Sequence, residues 1–256
     1  MGARIFARIE GDIGVPSRTH DSLPKSNQLL AALPEEEWSR LAPHLEPVEL
    51  RLGDVIYESA IRAQHIYFPA DCIISLLYVM ENGASGEIAI VGSEGLAGFA
   101  LVLGGGSTPS RAIVQSAGAA ARISAQHVST EFDRAGAFQN ILLRYTQALL
   151  TQMGQTAVCN RHHSVVQQFC RWLLMSLDRL PSNELHMTQE LIANMLGVRR
   201  EGVTEAAGML QRKGIIRYSR GHIEVLDRPR LEQTACECYE VVKKEFAQLL
   251  PWSTSP

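Results

Sequence analysis

The sequence predicts an α+β fold with an N-terminal antiparallel, jelly-roll-like β-roll, flanking helices, a long helix and a C-terminal winged helix-turn-helix. Short β-rich runs separated by Gly-containing turns occupy residues 46–123, as in a small antiparallel roll or barrel. After residue 134, apolar residues recur at helical spacing, which indicates a long helix. Between Met187 and Asp227, signals for a helix, a Gly turn, a second helix and a hairpin follow in order, which is the pattern of a winged helix-turn-helix.

This order divides the chain into four regions. We expect a mobile N-terminal arm over residues 1–26, a β-roll domain over 27–133, a long helix over 134–160, and a winged helix-turn-helix with a C-terminal helix and tail over 161–256. The first 27 residues lack the apolar core of about 7–15 residues found in secretory signal peptides. No apolar run approaches the roughly 20 residues of a membrane helix. We therefore expect a cytoplasmic protein with no membrane contact.

The winged helix-turn-helix is predicted from local signals. Thr188 is placed to cap a first helix, and Gly197 supplies a turn that a side chain would hinder. A second helix begins at about Arg200, and a tight turn at Ser219–Gly221 joins two short strands that form the wing. The residues expected to face inward are Leu191, Ile192, Met195 and Leu196 on the first helix and Val203, Ala206, Ala207 and Leu210 on the second.

The charge of this segment points to a polyanion as its partner. From Met187 to Arg220 the chain carries six basic and three acidic residues, a net +3, whereas the formal net charge of the whole chain is −3. A helix of this kind fits the major groove of duplex DNA, where residues of its first turns meet base edges. A winged helix used for protein contact, or a helical hairpin with a solvated charged face, is the alternative interpretation.

We therefore predict contacts with double-stranded DNA. Arg200, Glu201 and Thr204 are expected to contact bases, because Arg donates to guanine and Glu accepts from cytosine. Basic residues of the second helix and the wing are expected to contact phosphates, which supplies affinity without sequence information. The complete predicted set is Thr188, Gln189, Arg199, Arg200, Glu201, Thr204, Glu205, Arg212, Lys213, Arg217 and Arg220.

The long helix has the spacing of a coiled-coil seam. Its apolar residues step by four, three and four positions, and the seam becomes more polar at its end. The helix packs either on its own domain alone or also on a second copy of itself. We predict a homodimer that uses Phe138, Leu142, Tyr145, Leu149, Gln152 and Thr156.

The cysteines do not predict a disulfide framework or a metal site. Five cysteines are scattered along the chain and no C-x-x-C motif occurs. Cys236 and Cys238, if both lie on a helix, point about 200° apart and cannot share a ligand. His162 and His163, between the long helix and the next one, are interpreted either as solvated linker residues or as a pH or metal site. We expect no bound metal.

Catalytic signatures are absent from the sequence. Between residues 46 and 123 His65 is the only histidine, so the metal ligands of a cupin oxygenase are missing. The chain contains no G-x-S-x-G, P-loop or dinucleotide-binding motif. We expect no enzymatic activity and no cofactor.

The order of roll, long helix and winged helix resembles the Crp/Fnr superfamily of bacterial transcriptional regulators. The resemblance covers Asn27–Asp227 and is most specific in TQELIANMLGVRREGVTEAAGMLQRKGII, residues 188–216. Arg200 and Glu201 match the Arg-Glu pair that opens the recognition helix in family members, and Glu205 replaces a later Arg. The resemblance implies a homodimeric regulator that binds a palindromic DNA site, with RNA polymerase as a further partner and a signal acting on the roll.

The resemblance also implies a cyclic-nucleotide-binding-like roll. The residues in question are Gly92, Glu94, Gly98 and Arg111. Where family members that bind cyclic AMP have Gly-Glu-Leu, this chain has Gly98–Ala100, so the carboxylate for the ribose is missing. The chain is therefore identified as a member that does not bind cyclic AMP, and its effector stays open. The alternative is a regulatory protein that binds a cyclic nucleotide or another ligand and acts through protein contacts.

Overall fold

The computed structural model describes residues 23–250. The predicted mobile arm over residues 1–26 lies mostly outside these residues, and Pro24–Ser26 form a 3-10 turn. Two short helices follow, α1 (Gln28–Ala31) and α2 (Glu35–Leu41). The Asn27 side chain caps α1 by accepting from Leu29 N and Leu30 N, and its amide donates to Pro69 O and Gly95 O. The flanking helix is thereby fixed to the roll.

Seven antiparallel strands build the roll in two sheets. The first has the order β1-β7-β3 and the second the order β2-β6-β4-β5. Their bounds are β1 Glu46–Leu50, β2 Val55–Tyr57, β3 His65–Pro69, β4 Ile73–Val79, β5 Ser85–Val91, β6 Arg111–Ser116 and β7 Gly118–Ser124. The core between the sheets is made of aliphatic and aromatic residues, including Ile66, Phe68, Ile74, Leu76, Val114 and Ala121. The predicted α+β class and antiparallel roll are confirmed.

Helices and a small sheet complete the chain. They are α3 Ala125–Phe132, α4 Ala137–His162, α5 Val165–Leu177, β8 Glu184–His186, α6 Gln189–Leu196, α7 Arg200–Arg212, β9 Ile216–Ser219, β10 His222–Val225, α8 Arg228–Thr234 and α9 Cys238–Leu249. The small sheet has the order β8-β10-β9. Across residues 23–250, no helix combines the length and apolar character needed to span a membrane.

The long helix α4 packs on its own roll through the face that was predicted to dimerise. Tyr145 Oη donates to Leu96 O at 3.0 Å, and Gln152 hydrogen-bonds both the N–H and the carbonyl of Ile90. All six predicted side chains are buried within one protomer, namely Phe138, Leu142, Tyr145, Leu149, Gln152 and Thr156. The prediction that this face contacts a second chain is therefore wrong, because the face is already covered by the roll and by α9.

The junction between α4 and α9 corrects the prediction for the cysteines. Helix α9 begins at Cys238, so Cys236 lies before the helix. The angle expected between two residues of one helix therefore does not apply to this pair. Both approach the last turn of α4, where Cys159 Sγ lies 3.5 Å from Cys236 Sγ. His163 is partly buried there, so it is not a solvated linker residue.

A buried chain of polar groups joins the roll to α5. The oxygens of Glu87 and Gln115 lie 2.5 Å and 2.6 Å from Ser75 Oγ, and Gln115 Nε2 donates to Ser176 Oγ at 3.0 Å. The single Ser75 proton cannot serve both acceptors. A protonated Glu87 resolves this, because its carboxyl donates to Ser75 and Ser75 donates to Gln115. In agreement, burial raises the pKa of Glu87 to about 7, against the opposing effect of the Arg171 charge.

Glu87 gives the fold a pH-dependent stability. Because its pKa is raised above the ordinary value of a Glu, its contribution is fully present below about pH 4.5 and is lost as pH rises to about 7. We expect Glu87→Gln to remove this loss, on the order of 3 kcal/mol. Urea unfolding between pH 5 and 8 measures it, with the exposed Glu81→Gln as the control. Parallel pH profiles for wild type and Glu87→Gln would contradict the assignment.

Candidate nucleic-acid interface

Local geometry sets the angle between α6 and α7. The Thr188 side chain caps α6 by accepting from Leu191 N at 3.3 Å. Gly197 ends that helix with a φ of 65°, a backbone conformation that a side chain would strain. Helix α7 begins at Arg200, and its buried face consists of Val203, Ala206, Ala207 and Leu210. The small residues of this face allow α7 to lie close to α5 and α6.

The opposite face of α7 is polar and exposed. Arg200, Glu201, Thr204 and Glu205 occupy its first two turns, and Arg212 its last. The Thr204 hydroxyl lies 2.7 Å from Gln189 Oε1 and 3.0 Å from Arg200 O. Gln189 at the start of α6 is thereby held beside the first turn of α7, so these predicted residues form one surface.

The wing lies beside this surface. Ser219 pairs with His222, so the hairpin turn consists of Arg220 and Gly221, with φ values of 50° and 81°. Positive φ at both positions matches the twist of the two strands, and the turn presents the Arg220 side chain to solvent. Tyr218 Oη donates to Met187 O at 2.8 Å, which attaches the wing to the segment before α6.

The positive charge of this surface is largely uncompensated. Among the ion pairs formed within residues 23–250, none involves Arg199, Arg200, Arg212, Lys213 or Arg220. Arg217 differs, because its Nη1 lies 2.6 Å from Glu224 Oε2. Five exposed cations on α7, its flanks and the wing are therefore available to a polyanion, while Glu201 and Glu205 add two carboxylates to the same face.

The residues predicted to bind a ligand do not form one site. Glu94 Oε1 accepts from Arg179 Nε at 2.7 Å, and a Cβ at Gly92 would lie 2.7 Å from Arg179 Cγ. Arg111 instead pairs with Glu58 at 3.2 Å. Along β4, Val91 is opposite Ile74 and Arg111 is opposite Leu77, so the Gly92–Glu94 turn and Arg111 are about 10 Å apart along the sheet.

Gly98 has a different role from the one predicted. Its φ of 104° starts a 3-10 turn at Phe99–Leu101, and a Cβ there would lie 3.2 Å from His65 O. It therefore allows the chain to pass close to β3. The predicted cradle of Gly92, Glu94, Gly98 and Arg111 is thus replaced by a contact between Glu94 and the end of α5. No local pattern indicated this contact, because Arg179 lies 85 residues from Glu94.

Comparison with known proteins agrees with this architecture. Residues 167–234, from α5 to α8, match the family model of the Crp-like helix-turn-helix domain. A sequence search of curated proteins found no match.

Solved structures of regulators share the fold. A candidate transcriptional regulator of the Crp/Fnr family from Eubacterium rectale superposes with a TM-score of 0.65 at 17% identity, over 82% of this chain and 98% of its own. FixK2 from Bradyrhizobium japonicum gives 0.65 at 16% identity, over 75% and 98%. A CRP-family transcriptional regulator from Thermus thermophilus gives 0.61 at 16% identity, over 73% and 96%. The chain has the Crp/Fnr fold and carries a Crp-like helix-turn-helix domain, as the sequence resemblance implied.

Proposed function

We propose that this chain is a transcriptional regulator of the Crp/Fnr type, which binds a palindromic site in double-stranded DNA as a homodimer. The observation that carries the proposal is the exposed α7 surface, whose cations have no ion-pair partner within residues 23–250 while the chain as a whole is acidic. The match to the Crp-like helix-turn-helix domain supports the orientation that we propose, with α7 in the major groove and the wing beside the DNA backbone. The proposed action is non-enzymatic, with RNA polymerase as a further partner.

Within this proposal the surface has two parts. Arg200, Glu201 and Thr204 lie on the first two turns of α7, which reach base edges in this orientation. Thr204 is held by Gln189, so its methyl and hydroxyl groups have a fixed position. Arg199, Lys213 and Arg220 lie at the flanks and on the wing, where a cation meets phosphate and contributes affinity at any sequence.

Dimerisation is proposed through the exposed face of α4. Leu143 and Leu150 are seven residues apart on this face, and Val158 follows two turns later, all about half exposed. Gly154 lies between them, and a Cβ there would have nothing within 4 Å. A second α4 helix can approach closely at such a glycine and bury these apolar residues. The two-fold axis would place two α7 helices on successive major grooves, about one DNA turn apart.

Substitution at the centre of this face is expected to produce a monomer. Leu150 is 55% exposed, so Leu150→Arg leaves the protomer folded. In the dimer, each protomer would then place one positive charge in the interface. We expect the dimer dissociation constant to rise at least about 100-fold, as measured by sedimentation equilibrium. The control is Leu103→Arg, the same change at a 51% exposed position on the roll. A Leu150→Arg protein that dimerises like this control would rule out the face.

Substitution of Glu201 is expected to change sequence preference. If its carboxylate accepts from a cytosine amino group, Glu201→Ala should relax selection at one position in each half-site, at a cost of about 1–3 kcal/mol for the preferred base. Selection of random duplex DNA on both proteins measures this. The contradictory result is an identical enriched motif for wild type and variant.

Substitution of Lys213 is expected to weaken all DNA sequences alike. Lys213→Ala removes one cation from the DNA-binding surface of each protomer, so the slope of log affinity against log salt should fall by about 0.9 for each phosphate that is no longer neutralised. Titrations at several salt concentrations, on the selected site and on random DNA, measure the slope. Lys244→Ala is the matched control, because Lys244 is an exposed Lys on α9. Equal salt slopes for the two variants would show that Lys213 does not contact DNA phosphate.

A further inference from the structure

Three cysteines and one histidine meet where the long helix ends. Cys159 lies on the last turn of α4 and His163 directly after it, while Cys236 lies just before α9 and Cys238 is its first residue. One ligand atom from each of these four residues lies within 4.8 Å of each of the others. We call these four residues the Cys3His cluster. Two segments that are 77 residues apart in sequence supply it.

The distances in the Cys3His cluster fit a tetrahedral metal site. Cys159 Sγ lies 3.5 Å from Cys236 Sγ, and Cys238 Sγ lies 3.5 Å from His163 Nδ1. Around a Zn²⁺ ion with ordinary bond lengths, two thiolate sulfurs are about 3.8 Å apart, and a sulfur and an imidazole nitrogen are about 3.5 Å apart. These two pairs therefore already have separations close to those that one ion requires, and the other ligand atoms lie within 4.8 Å of one another.

The surroundings of the cluster also suit a closed metal site. All three cysteines are buried, as in structural zinc sites that exclude water. His163 Nε2 lies 3.3 Å from Glu237 Oε2, which leaves Nδ1 facing the sulfurs. A carboxylate in this position orients a metal-binding histidine and increases its basicity. Gln155 Nε2 donates to Cys238 Sγ at 3.1 Å, a contact that suits a thiolate.

We infer that Cys159, His163, Cys236 and Cys238 bind one Zn²⁺ ion per chain. Three thiolates and one imidazole in tetrahedral arrangement are a ligand set that zinc prefers, whereas harder cations require oxygen ligands. His163 is followed by Ser164, the N-cap of α5, and Cys236 follows α8. The ion would therefore link the two ends of the helix-turn-helix domain to the end of α4.

The first test is metal binding by the full chain. Protein freed of metal with a chelator, under reducing conditions, is titrated with Co²⁺, which reports thiolate ligands by charge-transfer absorption. We expect saturation at one Co²⁺ per chain, displacement by Zn²⁺, and a Tm that rises with Zn²⁺, because an ion that binds only the folded state stabilises it. Absence of the charge-transfer band would overturn the proposal.

Two pairs of variants locate the site. Cys238→Ala should abolish the cobalt band, while Cys72→Ala, which removes a buried cysteine of the roll, should keep it. His163→Gln should weaken binding, while the change of its exposed neighbour, His162→Gln, should not. Equal binding by both members of each pair would overturn the proposed site. Circular dichroism of each variant verifies folding.

A substitution outside the cluster keeps the test independent of folding. Glu237 has a side chain that is 73% exposed, so Glu237→Gln leaves the packing intact. We expect it to lower Zn²⁺ affinity about 10–100-fold by releasing His163.

Peptide mapping of protein purified without reductant tests whether the cysteines of this cluster form a disulfide instead of binding a metal. A Cys159–Cys236 disulfide, with no Co²⁺ bound after reduction, would replace the metal site by a redox pair.

Discussion

The packing of α4 against the roll is the contact on which the other parts of the structure depend. Tyr145 fills the space beside the turn after β5, where a Cβ at Gly95 would lie 2.5 Å from its ring, and its hydroxyl binds Leu96 O. Gln152 satisfies the backbone of Ile90, and Thr156 accepts from Arg171 of α5. One helix thus provides the wall of the roll and a support for the next domain. Because this face is used within the protomer, only the opposite face is left for a second copy.

The sequence predicted the helix-turn-helix well because its determinants are local. A capping threonine, a glycine at positive φ and a two-residue hairpin turn each act within a few residues, so their pattern is visible without the fold. The orientation of α4 was not visible in this way. Two faces of that helix carry apolar residues at heptad-like spacing, one with Tyr145 and one with Leu150. Which of them meets the roll is decided by tertiary packing.

The long-range contacts could also not be predicted from local patterns in the sequence. Glu94 and Arg179 are 85 residues apart, and each lies in a segment that would be interpreted as an ordinary turn or helix end. The prediction that Cys236 and Cys238 cannot share a ligand failed for a related reason. A separation of two residues excludes a shared ligand only when both residues lie in a helix. Since α9 begins at Cys238, Cys236 turns back toward Cys159. The prediction was therefore wrong because it placed Cys236 inside a helix, whereas α9 begins two residues later.

The roll and the helix-turn-helix domain are joined by charged and buried polar contacts. The Arg179 guanidinium binds Glu94 on one side and lies 5.7 Å from the Phe246 ring of α9 on the other. A cavity of about 330 Å³ lies beside these groups, lined by Ser93, Glu94, Asp178, Arg179, Tyr239 and Phe246. Any signal that acts through the roll must favour a second arrangement of these contacts, since a ligand with equal affinity for two arrangements shifts neither. Arg179 contacts the roll through Glu94, α5 through Met175 O and α9 through the Phe246 ring, so such a rearrangement would have to change its partners.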